Sequence, residues 1–243
     1  QCLVGSEMCI RDSRQANNHS TAHDAQVIAF AMYAGNMKVA REVINAIPRK
    51  RLFTQIEPDG KQPHELRRTL AFGYSQFNLS HFIDIFMMAR KIGISIDNAT
   101  SEDGRSFYKA MDFLVPYVGK DVKAWPYQQI SEWKYKQQEF CKDLYRTFLL
   151  NPERKDYLKL YKTHRIIDWK DRFNLLWMEA DDVDNAYAFA CGQLQFAMQC
   201  AAKARKEADN QCKHRVIPRS INKDGSLRMI HLSLIHISEP TRH

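Results

Sequence analysis

The chain has 243 residues and a net charge of +8, from 36 Lys and Arg against 28 Asp and Glu. A basic surface suits an anionic partner, whether nucleic acid, anionic lipid or acidic polysaccharide, and charge alone does not choose among them. No apolar run reaches the roughly 20 residues of a membrane span, and the cysteines, without CxxC spacing or paired histidines, indicate neither a zinc site nor a disulfide framework.

In chain order the ends come first. Residues 3–13, LVGSEMCIRDS, and residues 232–242, LSLIHISEPTR, can be encoded by one DNA duplex read in opposite directions. Both resemble a transposase-type sequencing adapter read through into protein. Residues 1–13 and 232–243 are therefore set aside from fold reasoning. The insert, about 14–231, is expected to be open at both ends, so the lack of a signal peptide carries no information. The adapter-like segments carry Glu7, Arg11 and Asp12 at one end and Glu239 and Arg242 at the other, which leaves the insert at +9. Cys141, Cys191, Cys200 and Cys212 are expected to be buried free thiols.

The remaining pattern is helical nearly throughout. Asn18-His19-Ser20-Thr21 precedes AHDAQVIAFAMYAG, a stretch rich in helix formers. Ser20 or Thr21 is placed to cap its first turn, and Gly35-Asn36 to stop it. A second helix is predicted over about 38–46, ended by Pro48. Residues 49–62 read as a loop holding the tight turn Glu57-Pro58-Asp59-Gly60. Pro63 suits the first position of a long helix over about 63–92, with Leu66, Leu70, Phe77, Phe82, Ile85 and Met88 on a broad apolar face. A polar loop at 93–104 leads to helices at about 105–118, 130–150 and 154–163. No run of alternating β-branched residues predicts a sheet. The fold class is therefore all-α: an incomplete α/α toroid built from helix pairs, with an α-solenoid as the alternative.

The stretch 168–182, DWKDRFNLLWMEADD, reads as a seam, with a domain boundary near 177. Domain 14–176 precedes it. Domain 177–231 begins with a strongly amphipathic trailing helix, AYAFACGQLQFAMQCAAKARKEADN, and continues as an extended strap, RVIPRSINKDGSLRMIH. The acidic cluster Glu179, Asp181, Asp182 and Asp184 reads as a helix N-terminus, favoured by the dipole.

Residues that could carry chemistry gather in the first domain. Asn17-Asn18-His19 sits just ahead of a helix, where side chains and free backbone N–H groups can face an anion. Arg67, Arg68 and Tyr74 lie beyond the loop. Together, Asn, His, Arg and Tyr can neutralise a carboxylate and move a proton, and elimination from a uronate needs both. Hydrogen bonds and a cation disperse the charge of the developing enolate. A phenol can take the C5 proton and return it to the leaving O4; no metal or other cofactor is needed. Each residue also has a plain structural reading. Asn-Asn-His ahead of a helix is capping and turn chemistry, an Arg pair is a solvated face, and Tyr74 between Phe72 and Phe77 is core.

Three blocks carry a resemblance. NNHSTAHDAQVIAFAMYAG resembles the NNHGT…DVQVAA segment of the alginate-lyase superfamily. QIEPDGKQPHELRRTLAFGYSQFNL resembles that family's Q-I-x-P-D-G-x-Q-P-x-E-L-x-R-T-x-x-F-x-Y-S segment. AWPYQQI (124–130) resembles its later W-P-Y segment. They occur in order across about 14–176, and the match is to the branch acting on alginate or glucuronan. The resemblance implies a polysaccharide lyase. Asn18 and His19 match the pair that contacts the uronate carboxylate, Tyr74 the catalytic Tyr, and Arg68 the Arg of E-L-x-R-T. Ser20 departs from the family's Gly. The site arginine stays open: the motif favours Arg68, whereas seven residues along a continuous helix bring Arg67 nearly onto the face of Tyr74.

Asn17, Arg67, Gln55, Gln62, Trp125 and Tyr127 are expected around the substrate, with turn roles for the glutamines and helix-junction burial for Trp125 and Tyr127 standing as alternatives. The implied partner is an acidic polysaccharide, with no nucleic acid and no membrane, and the implied location is periplasmic or secreted in a bacterium. Residues 177–231 resemble the start of an unsaturated glucuronyl hydrolase, whose substrate is the kind of product such a lyase releases. A non-catalytic α/α module that binds anionic glycans is the alternative function. A nucleic-acid-binding helical repeat ranks third, lacking any repeat or motif.

Overall fold

The computed structural model describes residues 15–166, 171–176, 198–204, 206 and 207. Contacts divide the chain into two units, 1–168 and 169–243. Among the described residues there is no strand, only two isolated bridges, and the fold is all-α. No described helix is long and apolar enough to cross a membrane.

The first described helix of the first unit is α1 (Asn18–Tyr33). Its cap is Asn17, in extended backbone, whose side chain accepts from the His19 N–H at 3.1 Å. Ser20 and Thr21, expected as caps, instead lie inside the first turn and are buried; Thr21 Oγ1 donates to Gln55 Oε1. Asn36 caps α2 (Met37–Ile47), which buries Ala40, Ile44 and Ile47. Pro48 does not end the helical path. It opens a π-helical turn, Pro48–Leu52, followed by the short α3 (Phe53–Gln55), so the predicted loop begins only at Ile56. The π turn swings Arg51 inward onto Asp24, with bonds of 2.7 and 3.2 Å, both side chains almost fully buried.

The 57–60 turn closes as the sequence predicts, with the Gly60 N–H on Glu57 O at 2.9 Å. Gly60 has φ +87°, and a Cβ there would meet the Lys109 carbonyl oxygen at 2.1 Å. No other residue fits that close approach without displacing the turn from α6 (Phe107–Leu114).

The predicted helix at 63–92 is two helices. α4 spans Pro63–Leu66, and α5 spans Ala71–Lys91. Between them the chain pairs with a distant segment: the Ala71 N–H bonds to Gln128 O at 2.9 Å, and the Ile130 N–H to Thr69 O at 3.1 Å. Gln129 supplies the cap, its Oε1 accepting from Phe72 N at 3.0 Å and Gly73 N at 3.4 Å. Tertiary pairing thus overrides local helix propensity at 67–70.

α5 packs on α1 on one side and on α7 (Trp133–Leu150) on another, and α7 packs on α8 (Lys155–His164). Phe72, Phe82, Phe86, Phe107, Phe140 and Tyr157 are buried at these contacts. Asp24, Gln55 and the Asn78 amide nitrogen are hydrogen-bonded inside the fold, which offsets the cost of burying them.

The second unit contains α9 (Arg172–Leu176), and its described residues between 198 and 207 are helical and exposed. Cys141 is buried as expected, but Cys200 is exposed. The extended strap, the acidic cluster Glu179 to Asp184, Cys191, Cys212 and both adapter-like ends lie outside the described residues.

Candidate active site

The N-terminus of α1 meets α4 through one carboxylate. Glu65 Oε1 accepts from the Asn18 backbone N–H and Glu65 Oε2 from Asn18 Nδ2, both at 2.7 Å. Both residues are buried, Asn18 at 4 % exposure and Glu65 at 1 %. Burial pushes the Glu65 carboxyl above its usual range, opposed by the Asn18 hydrogen bonds and by the charges of Arg68 and His19. Those opposing influences place His19 and Arg68 within electrostatic reach of the same carboxylate.

Arg68 extends the cluster to α5. Its guanidinium carbon lies 4.0 Å from the centroid of the Tyr74 ring, a cation–π contact. The break at 67–70 explains why this is Arg68. Helical phase counted across an unbroken helix favours Arg67, but Arg67 closes α4 and stays exposed. The turn brings Arg68 back over the first turn of α5. Asn18, His19, Glu65, Arg68 and Tyr74 thus form a connected group, drawn from two sequence blocks 47 residues apart at the Asn18–Glu65 link.

Tyr74 also lines a cavity of about 260 Å³ with Leu70, Gly73, Phe77, Glu132 and Lys136. The α5 members follow the spacing of one helix face. Gly73 leaves room for the stem of Lys136, which a Cβ would meet at 3.1–3.2 Å. Glu132, just ahead of α7, is the one non-glycine residue with positive φ among the described residues, at 58°. The cleft therefore has an apolar floor, a phenol and a pair of opposite charges on its rim.

The other expected residues fall differently. Asn17 caps α1 and bonds to Gln15, at the edge of the cluster. Gln55 and Gln62 lie inside the fold rather than along an open groove. Asn78 Nδ2 donates to both, at 2.8 Å each, and Gln62 Nε2 donates to Ser75 O. They tie the loop beneath the site to α5. Trp125 is 5 % exposed and packs among Phe72, Tyr117, Tyr127 and Trp133, so it has no open face for a sugar ring. Tyr127 is half-buried at the edge of that cluster.

Two contributors escaped the sequence reading. Glu65 stands in the quoted E-L-x-R-T block, yet the block drew attention only for its arginine. Gln129 stands in the third block, whose tie to Thr69–Gly73 is non-local and leaves no mark in local pattern. Among the described residues, no cluster of His, Cys, Asp and Glu is arranged to hold a metal ion.

Comparison with known proteins bears on the family and the fold. A family model described as alginate lyase matches residues 6–125. The crystal structure of an alginate lyase from Bacteroides ovatus aligns with a TM-score of 0.69 at 44% identity, over 73% of this chain and 47% of the other. The chain thus spans about half the length of that relative. No curated protein matches the chain. With the helical fold, the Arg68–Tyr74 contact and the matched blocks in place, the chain belongs to the alginate-lyase superfamily.

Proposed function

We propose that the first unit carries the reacting groups of a polysaccharide lyase that cleaves an acidic polyuronate, alginate or a glucuronan-like chain, by β-elimination. The observation that carries this reading is the guanidinium of Arg68 seated 4.0 Å over the Tyr74 ring, beside the carboxylate that holds Asn18. His19 and Arg68 supply donors for the uronate carboxylate, with Asn18 beside them, so charge spreading from C5 meets fixed positive partners. Tyr74, acting as its phenolate, takes the C5 proton. The C5–H electron pair moves into the carboxylate as an enolate, then forms the C4–C5 double bond as the C4–O4 bond breaks. The proton returns from Tyr74 to O4, so the products are a new chain end and a 4,5-unsaturated uronate. No cofactor enters this scheme. Asn17 caps α1 at the edge of the site, and the basic surface suits the polyanion. A periplasmic or secreted setting follows from the same substrate class.

The test is to incubate the chain with alginate and with glucuronan and to follow the ultraviolet absorbance of the conjugated double bond. Absorbance growth on a polyuronate, and none on a neutral glucan, supports the lyase. Binding without absorbance supports a second reading, a glycan-binding module without turnover. One observation favours that second reading: Asn18 is only 4 % exposed, which suits a frame residue.

A further inference from the structure

We propose that the cavity beside Tyr74 receives a second uronate ring, next to the reacting one, and that the ammonium of Lys136 binds that ring's carboxylate. The inference rests on the lyase reading above and extends that site by one sugar.

A polyuronate carries a carboxylate on every ring, and His19 and Arg68 account for one of them. Tyr74 is common to the reacting cluster and to the cavity: Arg68 covers its ring, and the same side chain lines the cavity of about 260 Å³. A chain whose reacting ring sits at Tyr74 therefore lays a neighbouring ring over this cavity. Leu70, Gly73 and Phe77 give it an apolar floor, and Phe77 is 44 % exposed. Apolar surface with a few placed polar groups is what a sugar ring needs.

Among the described lining residues Lys136, on α7, is the one cation. Its stem is held in place. Gly73 has no side chain, and Lys136 Cγ, Cδ and Cε pass 3.1–3.2 Å from where a Cβ would stand. The side chain is only 21 % exposed, so much of its rotamer freedom is already lost before a ligand arrives. The ammonium itself stays available. Glu132 Oε2 lies 3.7 Å from Nζ, beyond hydrogen-bond length, and Glu132 is half-exposed. The Tyr135 ring is 5.0 Å away. An ion pair this loose and this wet holds the ammonium weakly, and an ammonium has three protons to donate. An incoming carboxylate thus finds a cation aimed by packing rather than one locked in a tight pair.

The plain alternative is that Glu132 and Lys136 only support the first turn of α7, four residues apart. Lys136→Met separates the two, because it keeps an unbranched apolar stem over Gly73 and removes the charge. Uronate tetramers from alginate and from glucuronan are titrated calorimetrically onto the full chain at low salt. Lys136→Met should weaken binding about tenfold, with the melting temperature within about two degrees of wild type. The difference should shrink as salt rises. Lys134→Met, at an exposed lysine two residues away, should weaken binding less than about twofold. A folded Lys136→Met with wild-type affinity overturns the proposal, and so does an equal loss from Lys134→Met, which would mark general attraction of a polyanion.

If Lys136→Met does not fold, Glu132→Gln decides, since it leaves the lysine stem untouched and removes the competing carboxylate. It should tighten tetramer binding about threefold; unchanged or weaker binding overturns the proposal. In turnover, Lys136→Met should raise KM while kcat changes far less. Failure of the lyase reading looks different. Wild type that binds the tetramers without absorbance growth, and loses affinity in Lys136→Met, keeps the subsite and overturns the lyase alone. Wild type that binds neither tetramer overturns the subsite.

Discussion

Asp24 on α1 and Glu65 on α4 are two buried carboxylates in one unit, and they are stabilised in opposite ways. Asp24 receives the Arg51 guanidinium at 2.7 and 3.2 Å inside the fold. Its charge is cancelled on contact, and the pair joins α1 to the π-helical turn. Glu65 receives only amide donors, from Asn18. The nearest cation that acts on it, Arg68, is turned onto Tyr74 instead. Burial pushes the Glu65 carboxyl upward as a result. A contact ion pair suits a frame, because breaking it strands a buried charge. A carboxylate held by neutral donors leaves the neighbouring cation available for an incoming anion, which suits a site.

The comparison can be broken most forcefully at Arg51. Arg51→Ala should cost about 3 kcal/mol of unfolding free energy, read by denaturant titration, because buried Asp24 then keeps only His23 at 3.4 Å and the exposed Lys50 at 3.9 Å. A loss below about 1 kcal/mol would mean that Asp24 is as well held by neutral groups as Glu65.

Asp143 provides an intermediate case. It receives Gln76 Nε2 at 2.6 Å and Arg146 at 3.3 Å, while Arg146 also pairs with Asp84. Burial raises its carboxyl from 3.8 to about 6 in spite of Arg146. The folded protein then holds that proton more tightly than the unfolded chain. The stabilising contribution is complete below pH 3.8 and is lost as pH rises through about 6. Asp143→Asn should therefore gain stability relative to wild type across that window, by up to about 3 kcal/mol at neutral pH. Thermal melts from acid to neutral pH check it; a constant difference between the two proteins would show that Arg146 fully compensates the charge.

Arg68→Ala should lower turnover at least about tenfold, near 1.4 kcal/mol in the barrier. Arg67→Ala should change it by less than about twofold, since Arg67 is exposed at the end of α4. Equal effects would dissolve the distinction that the break in the helix creates. A smaller loss of stability than at Arg51 belongs to Gln129→Ala, which removes the side-chain cap of α5 and should cost about 1 kcal/mol.

Local rules carried the fold a long way and failed where distant segments meet. The helices at 37–47, 133–150 and 155–164 follow from periodicity and stop signals close to where they form. Residues 67–70 do not, because Thr69 and Ala71 pair with the 128–130 segment and no local pattern records that partner. The same break sets Arg68 rather than Arg67 over the Tyr74 ring, an arrangement that spacing alone left open. Gln55 and Gln62 illustrate the converse. They were expected around the substrate, with turn roles as the alternative, and Asn78 on α5 gathers both into the interior. Glu65 was visible in a motif, but its significance needs the 2.7 Å contacts with Asn18, which only the folded chain provides.

The most direct measurement is the initial rate of unsaturated-uronate formation by wild type and by Tyr74→Phe, on alginate and on glucuronan. The substitution removes one oxygen and leaves the ring under Arg68, so folding and oligomer binding should persist while the rate falls by about a hundredfold or more. A Tyr74→Phe protein that forms the double bond at the wild-type rate would contradict the assignment of Tyr74 as the group that moves the proton.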